Sequence, residues 1–187
     1  MAAPAHFIAN RLALDFVNTG YGVGATHCDC LADEESTRAW LAQAGVVPAT
    51  AHVPAPLSRH ARKLRDIARD LINAARSGQA CDTGPLNTLL AAGQRIPGVA
   101  WDPSQERFAW TETARDASAA SMLHPVVLDL AQLLTGNEAA AIHQCEAHDC
   151  TLLFLDPTTS RRRRWCSMAA CGNRMKVAAF RTRKQAT

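Results

Sequence analysis

Residues 145–171 read CEAHDCTLLFLDPTTSRRRRWCSMAAC, and the fold of the C-terminal part of the chain depends on them. The four cysteines have the spacing C-x4-C-x15-C-x4-C, which supplies two equal pairs of thiols. Zinc prefers four ligands in a tetrahedron, and ligands that are paired closely in sequence lower the entropic cost of closing the site. The sequence therefore predicts one structural zinc ion with the ligands Cys145, Cys150, Cys166 and Cys171.

The sequence leaves alternatives to this zinc site open. The same residues could be buried thiols without a metal, or a redox-active set. His148 lies three residues after Cys145 and could compete as a ligand, although a solvated histidine also fits this position. Four protein ligands leave no open position for water or substrate, so the predicted ion is structural and not catalytic.

Cysteines outside this cluster receive no role from the sequence. The chain has seven cysteines, and a complete set of internal disulfides would leave one over. Reduced thiols are therefore expected for Cys28, Cys30 and Cys81. His27, Cys28 and Cys30 could bind a second metal, but three ligands within four residues are cramped.

The segment around the cysteine pairs is predicted to contain a hairpin and a helix. Residues 151–155 (TLLFL) are a strand candidate, and residues 163–165 (RRW) are the candidate for a returning strand. A helix is predicted to begin at Met168 and to continue to about Lys184. A cysteine pair, a hairpin, a second pair and a helix in this order indicate a small treble-clef-like zinc finger.

Positive charge is concentrated at the C-terminal end. Residues 1–160 hold 11 Lys and Arg against 17 Asp and Glu, whereas residues 161–187 hold 9 Lys and Arg and no acid. A mildly acidic body with a basic tail is typical of proteins that contact nucleic acid. On the predicted helix, Val177 and Phe180 share an apolar face, which we expect to pack on the finger and leave the basic flanks exposed. The predicted nucleic-acid contacts are Arg161, Arg162, Arg163, Arg164, Arg174, Lys176, Arg181 and Arg183.

The rest of the chain has mostly helical periodicity. Its most regular segment is residues 57–75, where apolar residues recur at helical spacing, with Ser58 as the expected N-cap and Gly78 just past the end. Further helices are predicted between Asp33 and Gly45, from Pro85 to about Gln94, over residues 117–134 with a kink or fresh start at Pro125, and over residues 139–142. Residues 7–19 are predicted to be a short strand or the start of a helix.

A β-hairpin interrupts these helices. Residues 99–101 and 107–111 flank the turn-rich spacer DPSQ. We therefore predict a fold that is mainly α with a small β element (α+β). Its helical N-terminal domain spans residues 1–140, and the zinc finger spans residues 141–187.

Composition and motifs exclude several functional classes. No apolar run reaches the roughly 18 residues of a membrane span, and the N-terminus lacks a secretory signal. We therefore expect a cytoplasmic protein without membrane contact. Phosphate-binding glycine loops and the common hydrolase motifs are also absent, so we expect no enzymatic activity and assign no catalytic residues.

Two segments resemble known families. The pattern CEAHDC…FLD…RRWCSMAACGNRMK…RTR resembles the CGNR zinc finger, named for the string at residues 171–174. LALDFVNT at residues 12–19 is similar to the N-terminal signature of the ABATE domain, the usual partner of that finger in bacterial proteins. The resemblance implies a bacterial, stress-linked transcription regulator in which Cys145, Cys150, Cys166 and Cys171 match the metal ligands.

These observations predict a zinc-containing, DNA-binding transcription regulator. The finger would contact double-stranded DNA, and the N-terminal domain would sense a small-molecule effector or form a homodimer. Polar residues near the glycine-rich segment 20–24 could line an effector pocket, namely Asp15, Asn18, His27 and Cys28 or Cys30. The alternative is an RNA-binding or protein-interaction module stabilised by structural zinc, for which the same basic surface would serve.

Overall fold

The computed structural model describes residues 3–185, apart from the side chains of residues 182, 183 and 185. The helices are α1 (Leu12–Val17), α2 (Glu34–Gln43), α3 (Leu57–Ser77), α4 (Gly84–Gly93), α5 (Ala119–Thr135) and α6 (Asn173–Gln185), with short 3-10 turns at Gly24–Thr26 and Ala139–Ala141. The strands are β1 (Gly20–Tyr21), β2 (Cys28–Asp29), β3 (Ile96–Asp102), β4 (Arg107–Thr113), β5 (Ile142–Gln144) and β6 (Leu153–Leu155). They pair as three antiparallel hairpins, so the predicted mainly α fold with a small β element is confirmed.

The core of the helical part lies where α1, α3 and α5 meet. Residues 7–19, predicted as a strand or the start of a helix, contain the six-residue helix α1. The apolar spacing of α3 and α5 places one face of each helix against α1. The fully buried side chains at this junction include Leu14, Phe16, Leu57, Leu64, Ile72, Leu130 and Leu133. Among the described residues, no helix is both long and apolar enough to cross a membrane.

Helix α3 begins differently from the prediction. Its N-cap is Pro56, and Ser58 lies inside the first turn. The amide and hydroxyl of Ser58 donate to the two carboxylate oxygens of Glu34, at 2.8 and 3.0 Å. The prediction of Ser58 as N-cap was therefore wrong, because this serine joins α3 to α2 and does not cap its own helix. Gly78 ends α3 as predicted, with a left-handed φ of 64° that glycine adopts without strain.

An ion pair connects β2 to α3. Arg65 donates to both carboxylate oxygens of Asp29, at 2.6 and 3.0 Å. The side chains of Arg65 and Asp29 are only 9% and 22% exposed. Burial alone would raise the pKa of Asp29, but the hydrogen bonds from Arg65 and from the Leu31 amide lower it below its ordinary value.

The Asp29–Arg65 pair makes stability depend on pH. Because the pKa of Asp29 is lower in the folded chain than in the unfolded one, its contribution is present above its ordinary pKa of 3.8 and is lost as the pH falls through the lowered value. We expect Asp29→Asn to cost about 3 kcal/mol at pH 7, since it leaves a buried guanidinium without its partner. We also expect the free energy of unfolding of this variant to fall less than that of the wild type as the pH is lowered from 7 to 2.

Urea unfolding at stepped pH between about 2 and 7 measures both effects. The matched control is Asp66→Asn, which removes an exposed carboxylate from α3. Equal stability of Asp29→Asn and Asp66→Asn at pH 7 would contradict the expectation.

The second hairpin and α5 follow the sequence closely. β3 and β4 pair from Ile96↔Thr113 to Asp102↔Arg107, which confirms the predicted hairpin and lengthens both strands. Helix α5 is continuous through Pro125, so this proline marks no fresh start.

The finger hairpin uses a different partner strand from the one predicted. β6 lies within the predicted strand 151–155, but it pairs with β5 in the register Ile142↔Leu155. The hairpin therefore encloses the first cysteine pair. Residues 163–165 form no strand, because the Arg163 amide donates to the carboxylate of Asp156 at 3.0 Å and not to a neighbouring strand. The predicted returning strand was wrong for this reason.

The last helix is preceded by a π-helical turn, Met168–Gly172. Gly172 leaves room there for neighbouring side chains, because an added Cβ would lie 2.6 Å from the Met168 sulfur and 3.1 Å from the Trp165 ring, and Met168 would have to move. Val177 and Phe180 on α6 are exposed, so the apolar face of this helix does not pack on the finger as predicted. β6 is buried against α1 instead, and α6 contacts chiefly the π-helical turn.

The finger is joined to the helical part through β6. The Asn18 side chain accepts a hydrogen bond from the Leu153 amide and donates to its carbonyl, both at 2.8 Å. The Leu155 amide donates to the Ala9 carbonyl at 3.0 Å, and Phe154 is fully buried. Strand β6 therefore shares one hydrophobic core with α1, α3 and α5.

Candidate metal centre and nucleic-acid interface

The four cysteines of the predicted site lie together. Their sulfur atoms are all within 4.8 Å of one another, with Cys166 at 3.9 Å from Cys150 and 3.5 Å from Cys171. A tetrahedron of sulfurs each about 2.3 Å from zinc has edges of about 3.8 Å. Three of the cysteines are buried and Cys150 is half-buried. The size, chemistry and burial of the cluster fit one structural zinc ion.

Two local turns position the thiols. Cys145 directly follows β5, and its amide donates to the Leu152 carbonyl, while the Cys150 amide donates to the Ala147 carbonyl and closes the first turn. The second pair is bridged by Ser167, whose hydroxyl caps the π-helical turn by accepting from the Ala170 amide at 2.9 Å. The wider π-helical winding brings Cys171 back beside Cys166 across four intervening residues.

The close packing of thiols changes their proton affinity. A hydrogen bond with Cys166 lowers the pKa of Cys150 to about 5, and the same interaction raises the pKa of Cys166. This hydrogen bonding favours the thiolate form of Cys150, which is the form that binds zinc. Zinc needs thiolates, so its binding would release the remaining protons.

Arg174 contacts the cluster directly. Its guanidinium donates to the sulfur of Cys171 at 3.5 Å and forms an ion pair with Asp149, which lies in the first cysteine turn. One side chain thus links the two halves of the cluster. Arg174 was predicted as a nucleic-acid contact, and the structure shows its side chain half-exposed, with the guanidinium bonded to Cys171 and Asp149.

Arg163 is held by backbone carbonyls. Its guanidinium donates to the carbonyls of Trp165, Cys166, Leu155 and Ile8, and lies 4.2 Å from the centre of the buried Phe154 ring. The preceding turn is fixed by the buried Asp156, which accepts from the Thr158 hydroxyl and the Arg163 amide. These hydrogen bonds lower the pKa of Asp156. Arg163 therefore connects the N-terminal segment, β6 and the second cysteine pair.

The other predicted contacts lie on the surface of the finger. Arg164 is exposed, pairs with Glu146 at 2.6 Å and lies 4.9 Å from the Trp165 ring centre. Arg161 reaches the Ala140 carbonyl only at 3.4 Å. Arg162, Lys176 and Arg181 are exposed. The side chain of Arg183 lies outside the described part of the chain.

Sequence reasoning missed three acidic residues of the finger. Asp156 organises the loop, while Glu146 and Asp149 hold two of the predicted contact arginines. Glu146 and Asp149 lie between Cys145 and Cys150 in the string CEAHDC. Two acids beside the cysteines of a strongly basic segment are the signal from which their ion pairs with arginines could have been predicted.

Two residues that were candidates for an effector pocket have structural partners. Asp15 accepts hydrogen bonds from the amides of Ile8 and Ala9, and burial raises its pKa, while Asn18 is bonded to β6. His27 and Cys28 line an open cleft of about 610 Å³, and Cys30 is buried. Within residues 3–185, the four-cysteine cluster is the one group of three or more ligand residues close enough to hold a metal.

Comparison with known proteins agrees with this geometry. Residues 10–137 match the model of the ABATE family, described as “Putative stress-induced transcription regulator”. Residues 142–184 match the model of the CGNR zinc finger. A comparison with curated proteins gives no match. The first match covers more than half of the chain, and the chain therefore belongs to the ABATE family and carries a CGNR zinc finger at its C-terminal end.

Proposed function

We propose that this protein is a cytoplasmic transcription regulator that binds double-stranded DNA through its zinc finger. In this proposal Cys145, Cys150, Cys166 and Cys171 hold one zinc ion, which fixes the turns that present the basic surface. The ABATE domain ends near residue 140 and serves regulation, not catalysis. The exposed cations of the finger are the observation that carries the proposal.

The exposed cations form a surface that DNA phosphates would fit. Arg161 and Arg162 lie in the loop after β6, and Lys176 and Arg181 lie on α6. No ion pair of Arg162, Lys176 or Arg181 occurs within the part of the chain that the structure describes, so their charges are available to a polyanion. Arg164 and Arg174 form ion pairs with Glu146 and Asp149 and would contribute less.

The arginine loop, residues 161–164, should contribute a measurable electrostatic component to DNA binding. With about five cations on phosphates, log K should fall against log salt with a slope of about −4 to −5. We expect Arg162→Ala to make the slope shallower by about 1 and to weaken binding on every sequence alike. Fluorescence anisotropy of a labelled duplex at several salt concentrations measures the slope.

Lys63→Ala is the matched control, because it removes one exposed cation from α3 in the helical part. It should leave both the affinity and the slope unchanged. If Lys63→Ala and Arg162→Ala had the same effect, binding would depend on net charge and not on the finger surface.

The helical part supplies a candidate site for a regulatory ligand. The cleft lined by His27, Cys28 and Asp29 lies beside the buried Asp29–Arg65 pair. A small polar effector bound there would act on the contact between β2 and α3. Thermal stabilisation of the protein by candidate small molecules tests this assignment, and loss of the shift in Ala39→Trp, which places a large side chain in the cleft lining, would support it.

A further inference from the structure

The β3–β4 hairpin carries an unpartnered apolar face. Val99 pairs with Trp110, and Trp101 pairs with Phe108, so all four side chains emerge on the same side of the hairpin. They are 66%, 70%, 55% and 72% exposed in that order. We call this set the aromatic face. The Trp101 and Phe108 rings pack edge to face with centroids 5.2 Å apart.

An exposed apolar face of this size is expected to be buried against a partner. A two-stranded hairpin is at best marginally stable by itself in water, and β3 and β4 contact chiefly each other. Contiguous apolar patches of a few hundred Å² are rare on monomers and mark interaction sites. Three aromatic side chains of about 150–250 Å² each, more than half exposed, present roughly 300–500 Å².

We propose that a second copy of this chain covers the aromatic face, with the two hairpins packed face to face around a two-fold axis. The face carries no unpaired charge that would select an acidic or basic partner. Glu112, which borders the face on the same side of the hairpin, already pairs with Arg95 at 3.7 Å. An uncharged apolar face is complementary to its own copy, which is what an isologous interface requires.

The available area fits a weak, reversible dimer. Two aromatic faces together would bury roughly 600–1,000 Å² of aromatic surface, below the about 1,200–2,000 Å² of a stable, specific interface. A groove between the hairpin and helices α4 and α5 adjoins the face. Trp110 continues into this groove, where Leu90 and the partly exposed Leu128 extend the apolar surface.

The hairpin and the zinc finger are separate segments of the chain. The hairpin precedes α5 and the finger follows it. The dimer does not depend on the proposed DNA binding, and its test is separate.

Sedimentation velocity of the zinc-loaded protein, residues 1–187, between about 1 and 100 µM tests the proposal. We expect a monomer–dimer equilibrium in the wild type. The double variant Phe108→Thr/Trp110→Thr retains β-forming residues and should raise the dimer dissociation constant at least about 100-fold. The control Val177→Ala/Phe180→Ala removes exposed apolar side chains from α6 and should dimerise like the wild type.

A second measurement needs no variant. Hydrogen exchange of the amides in residues 96–113 should slow as the wild-type concentration rises, because dimerisation protects the hairpin. A wild type that stays monomeric at 100 µM would overturn the proposal and assign the face to a different partner. A threonine double variant that dimerises like the wild type would also overturn it.

Discussion

Removing the zinc ion should unfold the finger and destabilise the helical part with it. Structural zinc contributes on the order of 10 kcal/mol to the folding of modules of this kind. We expect Cys166→Ser to lose zinc, because Cys166 is fully buried and its sulfur lies close to those of Cys150 and Cys171. Strand β6 belongs to the common core, so the thermal midpoint of the whole chain should fall by at least about 10 °C.

The control for this prediction is Cys81→Ser. Cys81 is an exposed cysteine between α3 and α4, and its removal should leave both the zinc content and the midpoint unchanged. Zinc content by elemental analysis and circular dichroism melts give the two readouts, and a chelator should reproduce the effect of Cys166→Ser on wild-type protein. Retention of one zinc per chain with a normal melt in Cys166→Ser would contradict the account.

Arg162 and Arg163 should have opposite roles, with Arg163 important for stability and Arg162 for DNA affinity. Arg163→Ala leaves several backbone carbonyls without a donor and removes the contact with the Phe154 ring, so it should cost about 3 kcal/mol of stability. Arg162→Ala removes an exposed side chain and should change stability by less than about 0.5 kcal/mol. We expect the reverse order for DNA affinity measured at a temperature where both variants are folded.

Urea unfolding and anisotropy titrations on the same preparations separate these effects. Arg163→Lys should recover only part of the stability, because an ammonium cannot reach the same set of carbonyls as a planar guanidinium. Equal stability of Arg162→Ala and Arg163→Ala would show that the contacts of Arg163 contribute nothing.

The sequence predicts features of this protein that depend on local pattern. The cysteine spacing, the periodicity of α3 and the turn between β3 and β4 each involve residues close in the chain, and the structure contains all three. Features that depend on distant residues were not predictable in the same way. Leu153 of β6 bonds to Asn18, 135 residues away, and Ser58 bonds to Glu34 in another helix.

The basic residues show the same limit. In the sequence, the arginines of the finger all look equally suited to contact nucleic acid, because no neighbouring residue distinguishes them. The structure separates them through partners that are distant in sequence. Arg163 reaches Ile8, Arg164 pairs with Glu146, and Arg174 pairs with Asp149.

Zinc-dependent DNA binding is the central claim, and one titration tests it most directly. A random duplex pool would be titrated with zinc-loaded and with chelated protein, at low and near-physiological salt, with structured RNA as competitor. The account predicts binding that is lost on chelation, weakens steeply with salt and resists RNA competition. Binding that is insensitive to salt and chelator, or that RNA abolishes, would contradict it.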